Sequence, residues 1–209
     1  MKTKLMTACL LAALAPFAQA DDKLAAKVDK LVAESFKAGP GQELSRLTQD
    51  ETQKICSTTR NNPTPAQAQA INAREQATIK YPEGNKLTGD WKSGEKLVKG
   101  GFGMRIGNIE ADPVAKQKGG NGGNCYACHA LDPKEVAAGN LGPSLTGYGA
   151  LRGSSDEIVK YTYDKLYNTQ ATAACSNMPR MGHNGILTPA QIADVVAYLI
   201  SSESPLNKK

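Results

Sequence analysis

The sequence predicts an all-α protein with a helical N-terminal extension, and three observations predict it. Apolar residues recur at helical spacing in several segments, most of them bracketed by cap residues or by glycine and proline. No stretch alternates apolar and polar residues for long enough to make a strand. With 209 residues, 40% of them hydrophobic and no low-complexity run, the chain can bury one modest core and still carry an appendage.

The chain opens with Lys2 and Lys4, an apolar run from Leu5 to Phe17, and Ala18-Gln19-Ala20 before two aspartates. This is the pattern of a cleaved secretory signal over residues 1–20, too short for a membrane anchor. Cys9 lies within the apolar run, which continues past it and so argues against an acylated first residue. Export places the mature chain in the periplasm, an oxidising compartment.

Beyond the signal, Leu24, Val28, Leu31, Val32 and Phe36 mark an amphipathic helix that Gly39-Pro40-Gly41 interrupts. Thr48 and Glu51 have capping-box spacing for a second helix towards Ile55 and Cys56. Thr64-Pro65 starts a third, running through Ile71 to about Ile79. Residues 21–85 thus form the extension. Asp90 caps a short helix containing Gly94, where a second helix can approach closely. Its expected partner is the last helix, begun by Thr188-Pro189 with Gln191 and continued by Ile192, Val195, Val196 and Leu199. Between them lie a glycine-rich connection, a loop at Leu141-Gly142-Pro143, and a helix from about Ser154 to Tyr167 with Glu157 completing its cap.

Cys125-Tyr126-Ala127-Cys128-His129 carries the chemistry. Two thiols separated by two residues, followed at once by an imidazole, form the attachment signal for one covalent haem c, with Cys125 and Cys128 as thioethers and His129 as proximal iron ligand. A zinc site would need a second pair of ligands, and Cys56, Cys175 and His183 are scattered. A thioredoxin-like couple would need a strand–helix–strand pattern, which is absent downstream.

The second axial position decides between electron transfer and small-molecule binding. Met178 is favoured, because it precedes Pro179 in a stiff loop rich in glycine and asparagine. Met181, His183 and an open site remain alternatives, and Met104 reads as packing. The carbonyl of Pro143 is a candidate acceptor for the other ring proton of His129. Cys56 and Cys175 remain as an even pair in an oxidising compartment, a candidate disulfide that would staple the extension to the methionine loop.

The formal charge is +5, and loss of Lys2 and Lys4 would leave +3. The basic residues are interspersed with acids and make no stripe, so nucleic-acid binding has no support.

Together these features resemble a class I cytochrome c over residues 86–209. The run Asn177-Met178-Pro179-Arg180-Met181-Gly182-His183-Asn184-Gly185-Ile186-Leu187-Thr188, with Leu141–Gly149, Ala190–Leu199 and Gln49–Ser57, is similar to the SoxX family. The resemblance implies haem c on Cys125 and Cys128, with His129 and Met178 as axial ligands. It implies the electron-transfer subunit of a heterodimer with SoxA, an L-cysteine S-thiosulfotransferase that joins thiosulfate oxidatively to a cysteine of the carrier SoxYZ. Bond formation would occur on SoxA, leaving no catalytic residue in this chain, and the electrons would pass to a soluble cytochrome c. The alternatives are an independent periplasmic shuttle feeding a terminal oxidase and a haem protein that binds a small molecule.

Overall fold

The computed structural model describes residues 23–38, 44–101 and 122–208. The signal sequence, Gly39-Pro40-Gly41, Met104 and most of the glycine-rich connection lie outside them. The chain divides into two compact units, Met1–Thr48 and Gln49–Lys209. In the first, α1 covers residues 23–35, and a single 3-10 turn covers Leu44–Leu47. Leu24, Val28, Leu31 and Phe36 are all exposed, so the stripe expected to be a buried face is open to solvent.

Among the described residues of the second unit the regular structure is all helix, and no strand occurs. Its α2 (Glu51–Thr58) starts two residues later than the Thr48 cap would place it. Asp50 and Gln53 form the capping box instead: the Gln53 N–H donates to Asp50 Oδ1 at 2.8 Å and the Asp50 N–H to Gln53 Oε1 at 2.9 Å. Thr48 is occupied in closing the preceding turn, donating its N–H to the Ser45 carbonyl. Helix α3 (Pro65–Gln76) has the Thr64 cap and first-turn proline read from the sequence. Helix α4 (Trp91–Lys99) is capped by the Asp90 carboxylate, which accepts from Lys92 and Ser93 N–H. A short α5 (Tyr148–Arg152) precedes α6 (Asp156–Tyr167), whose N-cap is Ser155 rather than Ser154. The final α7 (Pro189–Ile200) has the full Thr188–Gln191 box.

Helix α7 is apolar on nearly every side, which requires neighbours all round. Its residues Ile192, Ala193 and Val195 to Ile200 are buried, with α4, α5 and α6 against it. The tightest approach is to α4. A methyl group on Gly94 would overlap the carbonyl oxygen of Asp194 and stand 2.9 Å from Cβ of Tyr198. Next to it the Gly89 N–H donates to the Ala193 carbonyl (2.9 Å) and the Asp90 N–H to Asp194 Oδ1 (2.7 Å).

The expected division near residue 85 is corrected: α2 and α3 belong to the same compact unit as the later helices. Four kinds of contact hold them there. Cys56 and Cys175 form a disulfide. Tyr81 Oη donates to Asp164 (3.0 Å), and Tyr163 Oη donates to the Lys80 carbonyl (2.8 Å). Cys56, Ile71 and Cys175 make a small apolar cluster of their own. Finally Glu75, 3% exposed, accepts from Thr52 Oγ1 and from Asn168 Nδ2 and pairs with Arg180.

Burial alone would raise the Glu75 carboxyl, but the Thr52 and Asn168 hydrogen bonds and the Arg180 charge outweigh it and hold it below the usual range. Asp50 is held low in the same way, its burial being outweighed by the Gln53 N–H and Arg180. Below the ordinary glutamate value of 4.5 the unfolded chain takes up protons that the folded one refuses. The stabilisation is therefore complete above that pH and is lost as acid reaches the lowered folded values. Urea midpoints followed from pH 7 to pH 3 are expected to fall more steeply in the wild type than in Glu75→Gln. For the helix crossing, Gly94→Ala is expected to destabilise by about 1–3 kcal/mol through overpacking, despite alanine's better helix propensity, and this is read from the same denaturation curves.

Candidate functional site

The Cys-x-x-Cys-His segment starts where α4 ends. The Gly123 N–H donates to the Leu97 carbonyl and the Asn124 N–H to the Gly100 carbonyl, each at 2.8 Å, so the helix terminus positions the motif. Asn124 turns the chain with a left-handed φ of 47°, a conformation asparagine tolerates better than most residues. Cys125–Ala127 then make one 3-10 turn. Residues three apart eclipse in such a turn, so Cys125 and Cys128 fall on the same side. The N–H groups of Cys128 and His129 both donate to the Cys125 carbonyl, at 3.1 and 2.9 Å.

Both thiols are free and half-buried. Burial, with the neighbouring Cys128, pushes the Cys125 thiol up to about 11. A nucleophilic redox couple needs the opposite shift, towards thiolate, so the local environment disfavours a thioredoxin-like role.

The ring of His129 lies over Gly142, where any side chain would overlap it. Its Nδ1 stands 2.7 Å from the Pro143 carbonyl oxygen. A carbonyl can only accept, so the proton resides on Nδ1 and the Nε2 lone pair is left for a metal. The loop that brings Pro143 there is tied to the motif by the Gly139 N–H on the Tyr126 carbonyl (2.7 Å), the Gly142 N–H on that of Cys128 (2.8 Å) and the Leu145 N–H on that of Ala130 (2.8 Å).

Met178 is half-buried and packs against the same apolar cluster as Cys125, in a segment without helix or strand. Its N–H donates to Ser176 Oγ, and the Ser176 carbonyl accepts from Gln170 Nε2. Met181 is buried within that cluster, and its carbonyl accepts from Ile186 and Leu187. Leu187 in turn reaches Gly123 at the start of the haem motif, which links the methionine loop to it.

His183 is directed elsewhere. Its Nδ1 lies 3.2 Å from Thr78 Oγ1, 3.4 Å from Asn168 Nδ2 and 4.0 Å from Glu75 Oε2. Burial and the Arg180 charge lower its pKa, with Glu75 and Asp50 acting against them, which favours a neutral ring.

Sequence reasoning missed the cluster of Asp50, Thr52, Glu75, Asn168 and Arg180 around it. The available signal was spacing: Ile71 and Glu75 lie four apart on α3 and share its buried face, as Thr52 and Cys56 do on α2.

Residues 117–203 match the family model for cytochrome c. Over the full length of both chains the sequence is 39% identical to an uncharacterized lipoprotein of Aquifex aeolicus. It is also 36% identical over 101 residues to the cbb3-type cytochrome c oxidase subunit CcoP of Cereibacter sphaeroides, covering 44% of this chain and 33% of that protein. The all-α arrangement is that of a class I cytochrome c, a domain that carries covalently bound haem c.

The donor set fits that group. Two unbridged thiols lie on one side of a turn, the imidazole beside them has its proton committed to a carbonyl, and a thioether packs against the same apolar cluster. Met178→Leu is expected to abolish the far-red methionine-to-iron absorption band of the ferric protein. Met181→Leu is expected to keep it, at a cost below about 1.5 kcal/mol for a volume-conserving core change. The reverse pattern in the two spectra would reassign the ligand.

Proposed function

Since the chain belongs to one family with the Aquifex aeolicus lipoprotein and contains a cytochrome c domain, we propose that it is a monohaem electron carrier of the SoxX type. In this reading it is the electron-accepting subunit of a complex with SoxA. Haem c supplies a one-electron ferric–ferrous couple when bound. Cys125 and Cys128 would tether it, and His129, through Nε2, and Met178 would hold its iron.

The observation that carries the reading is the pairing of the Pro143–His129 hydrogen bond with a pinned thioether loop. The bond makes the imidazole a better donor, and the thioether favours the ferrous state. With both iron ligands supplied by the chain, the haem would suit relay and leave substrate chemistry to a partner. The complex would join thiosulfate to a cysteine of the carrier SoxYZ, releasing two electrons. They would leave through this chain, one at a time, to a soluble cytochrome c.

The likeness to CcoP favours a second reading, a carrier that feeds a terminal oxidase directly. The relative's description as a lipoprotein favours a tether at the membrane surface, for which Cys9 is the available acylation site.

Coexpression with the neighbouring reading frames, followed by isolation of this chain, is expected to yield a second haem subunit and reduction by thiosulfate when SoxYZ is present. Isolation alone, with no thiosulfate-dependent reduction but rapid turnover by a terminal oxidase, would replace the first reading with the second. The mass of the isolated chain separates cleavage after Ala20 from acylation at Cys9.

A further inference from the structure

We infer that Glu75 is a positioning residue for Met178, acting through Arg180, so that the segment from Asp50 to Lys80 clamps the loop bearing the distal ligand. The inference rests on the reading of Met178 as that ligand.

The loop between Thr172 and Thr188 has no helix or strand, and its backbone is tied to α6 only after Met178, by the Gly182 and His183 N–H groups on the Tyr167 carbonyl. Met178 sits between two anchors, Cys175 three residues before it and Arg180 two residues after. Both anchors are nearly buried, at 6% and 7% exposure, and both fasten to the same segment. Cys175 is bonded to Cys56. Arg180 places Nη1 3.3 Å from Glu75 Oε2 and Nη2 against Asp50 Oδ2.

A thioether is a neutral and weak iron ligand, so its occupancy depends on how much of the loop must be ordered to present it. Anchors on both sides remove most of that cost beforehand. The disulfide limits how far the loop can travel, while the buried guanidinium decides how it is turned. Without a carboxylate at Glu75 the Arg180 charge would be left buried and half-paired, and the loop would open to solvate it.

Glu75 is itself held from two directions, by Thr52 on α2 and by Asn168 at the end of α6. The same group of side chains surrounds His183, the only histidine besides His129. A single carboxylate thus orients the methionine loop and borders the imidazole that the sequence offers as the alternative to Met178.

The test uses haem-loaded wild type, Glu75→Gln, Asp50→Asn and Met178→Leu. The ferric far-red band, the midpoint potential and the rate of carbon monoxide binding to the ferrous form are recorded beside far-UV circular dichroism. Carbon monoxide binds only when the distal ligand leaves, so its rate reports loop opening. Glu75→Gln is expected to weaken the band, lower the potential and speed carbon monoxide binding about tenfold or more, with helical content unchanged. Asp50→Asn removes the more exposed pairing of Arg180, and is expected to shift all three readouts the same way by less. It decides the matter if Glu75→Gln does not load haem.

Wild-type band, potential and binding rate in both variants, together with loss of the band in Met178→Leu, would overturn the clamp and leave Met178 as ligand. A band that survives Met178→Leu would overturn the ligand assignment, and the clamp with it.

Discussion

At Gly94 the backbone of α7 passes α4 so closely that hydrogen is the only side chain that fits. Everything that carries the chemistry emerges from the ends of this helix pair. The carbonyls at the C-terminal end of α4 hold Gly123 and Asn124, which start the haem motif. The Thr188 cap at the N-terminal end of α7 closes the methionine loop. The buried length of α7 supplies the apolar surface against which Leu97, Tyr126, Leu131 and Met181 collect. A shift of the crossing would therefore move both sources of axial ligands at once, which is why a position far from any donor atom constrains the site.

The two sides are built differently. On the histidine side, backbone hydrogen bonds suffice: a 3-10 turn sets the cysteines, and three N–H groups from the following loop return to the motif and deliver the Pro143 carbonyl. Two positions of that loop must be bare, Gly142 for the ring to lie over it and Gly139 where it passes the Ala127 carbonyl. On the methionine side, a covalent bond and a buried charge cluster join the backbone hydrogen bonds of Gly182 and His183 to the Tyr167 carbonyl. A loop without helix or strand depends on side chains as well to choose its conformation.

This difference explains what was legible in the sequence. Caps are local, so Thr64-Pro65, Asp90 and Thr188-Pro189-Gln191 could be read directly, and Gly94 pointed to the crossing. The spacing Cys-x-x-Cys-His is a local chemical signal too. Thr48 misled because Asp50, two residues on, accepts the Gln53 N–H and starts the helix there instead. The place of residues 49–85 was misread for a deeper reason. Their attachment runs through pairs separated by about a hundred positions, Glu75 with Arg180 and Cys56 with Cys175, and only the cysteines advertise such a pairing.

A buried carboxylate among apolar neighbours needs its own explanation, since well-packed hydrophobic residues in its place would often be at least as stable. An apolar contact between α3 and the methionine loop would tolerate sliding and rotation with little change in energy. Glu75 tolerates neither, because Thr52, Asn168 and Arg180 reach it from three separate parts of the chain, and displacement leaves at least one of them buried without a partner. The disulfide ties α2 to the same loop beside this cluster, removing conformations from the unfolded chain while the charges select among those that remain in the folded one. Covalent and ionic restraints are thus complementary here: one shortens the search, and the other specifies the orientation in which the loop comes to rest.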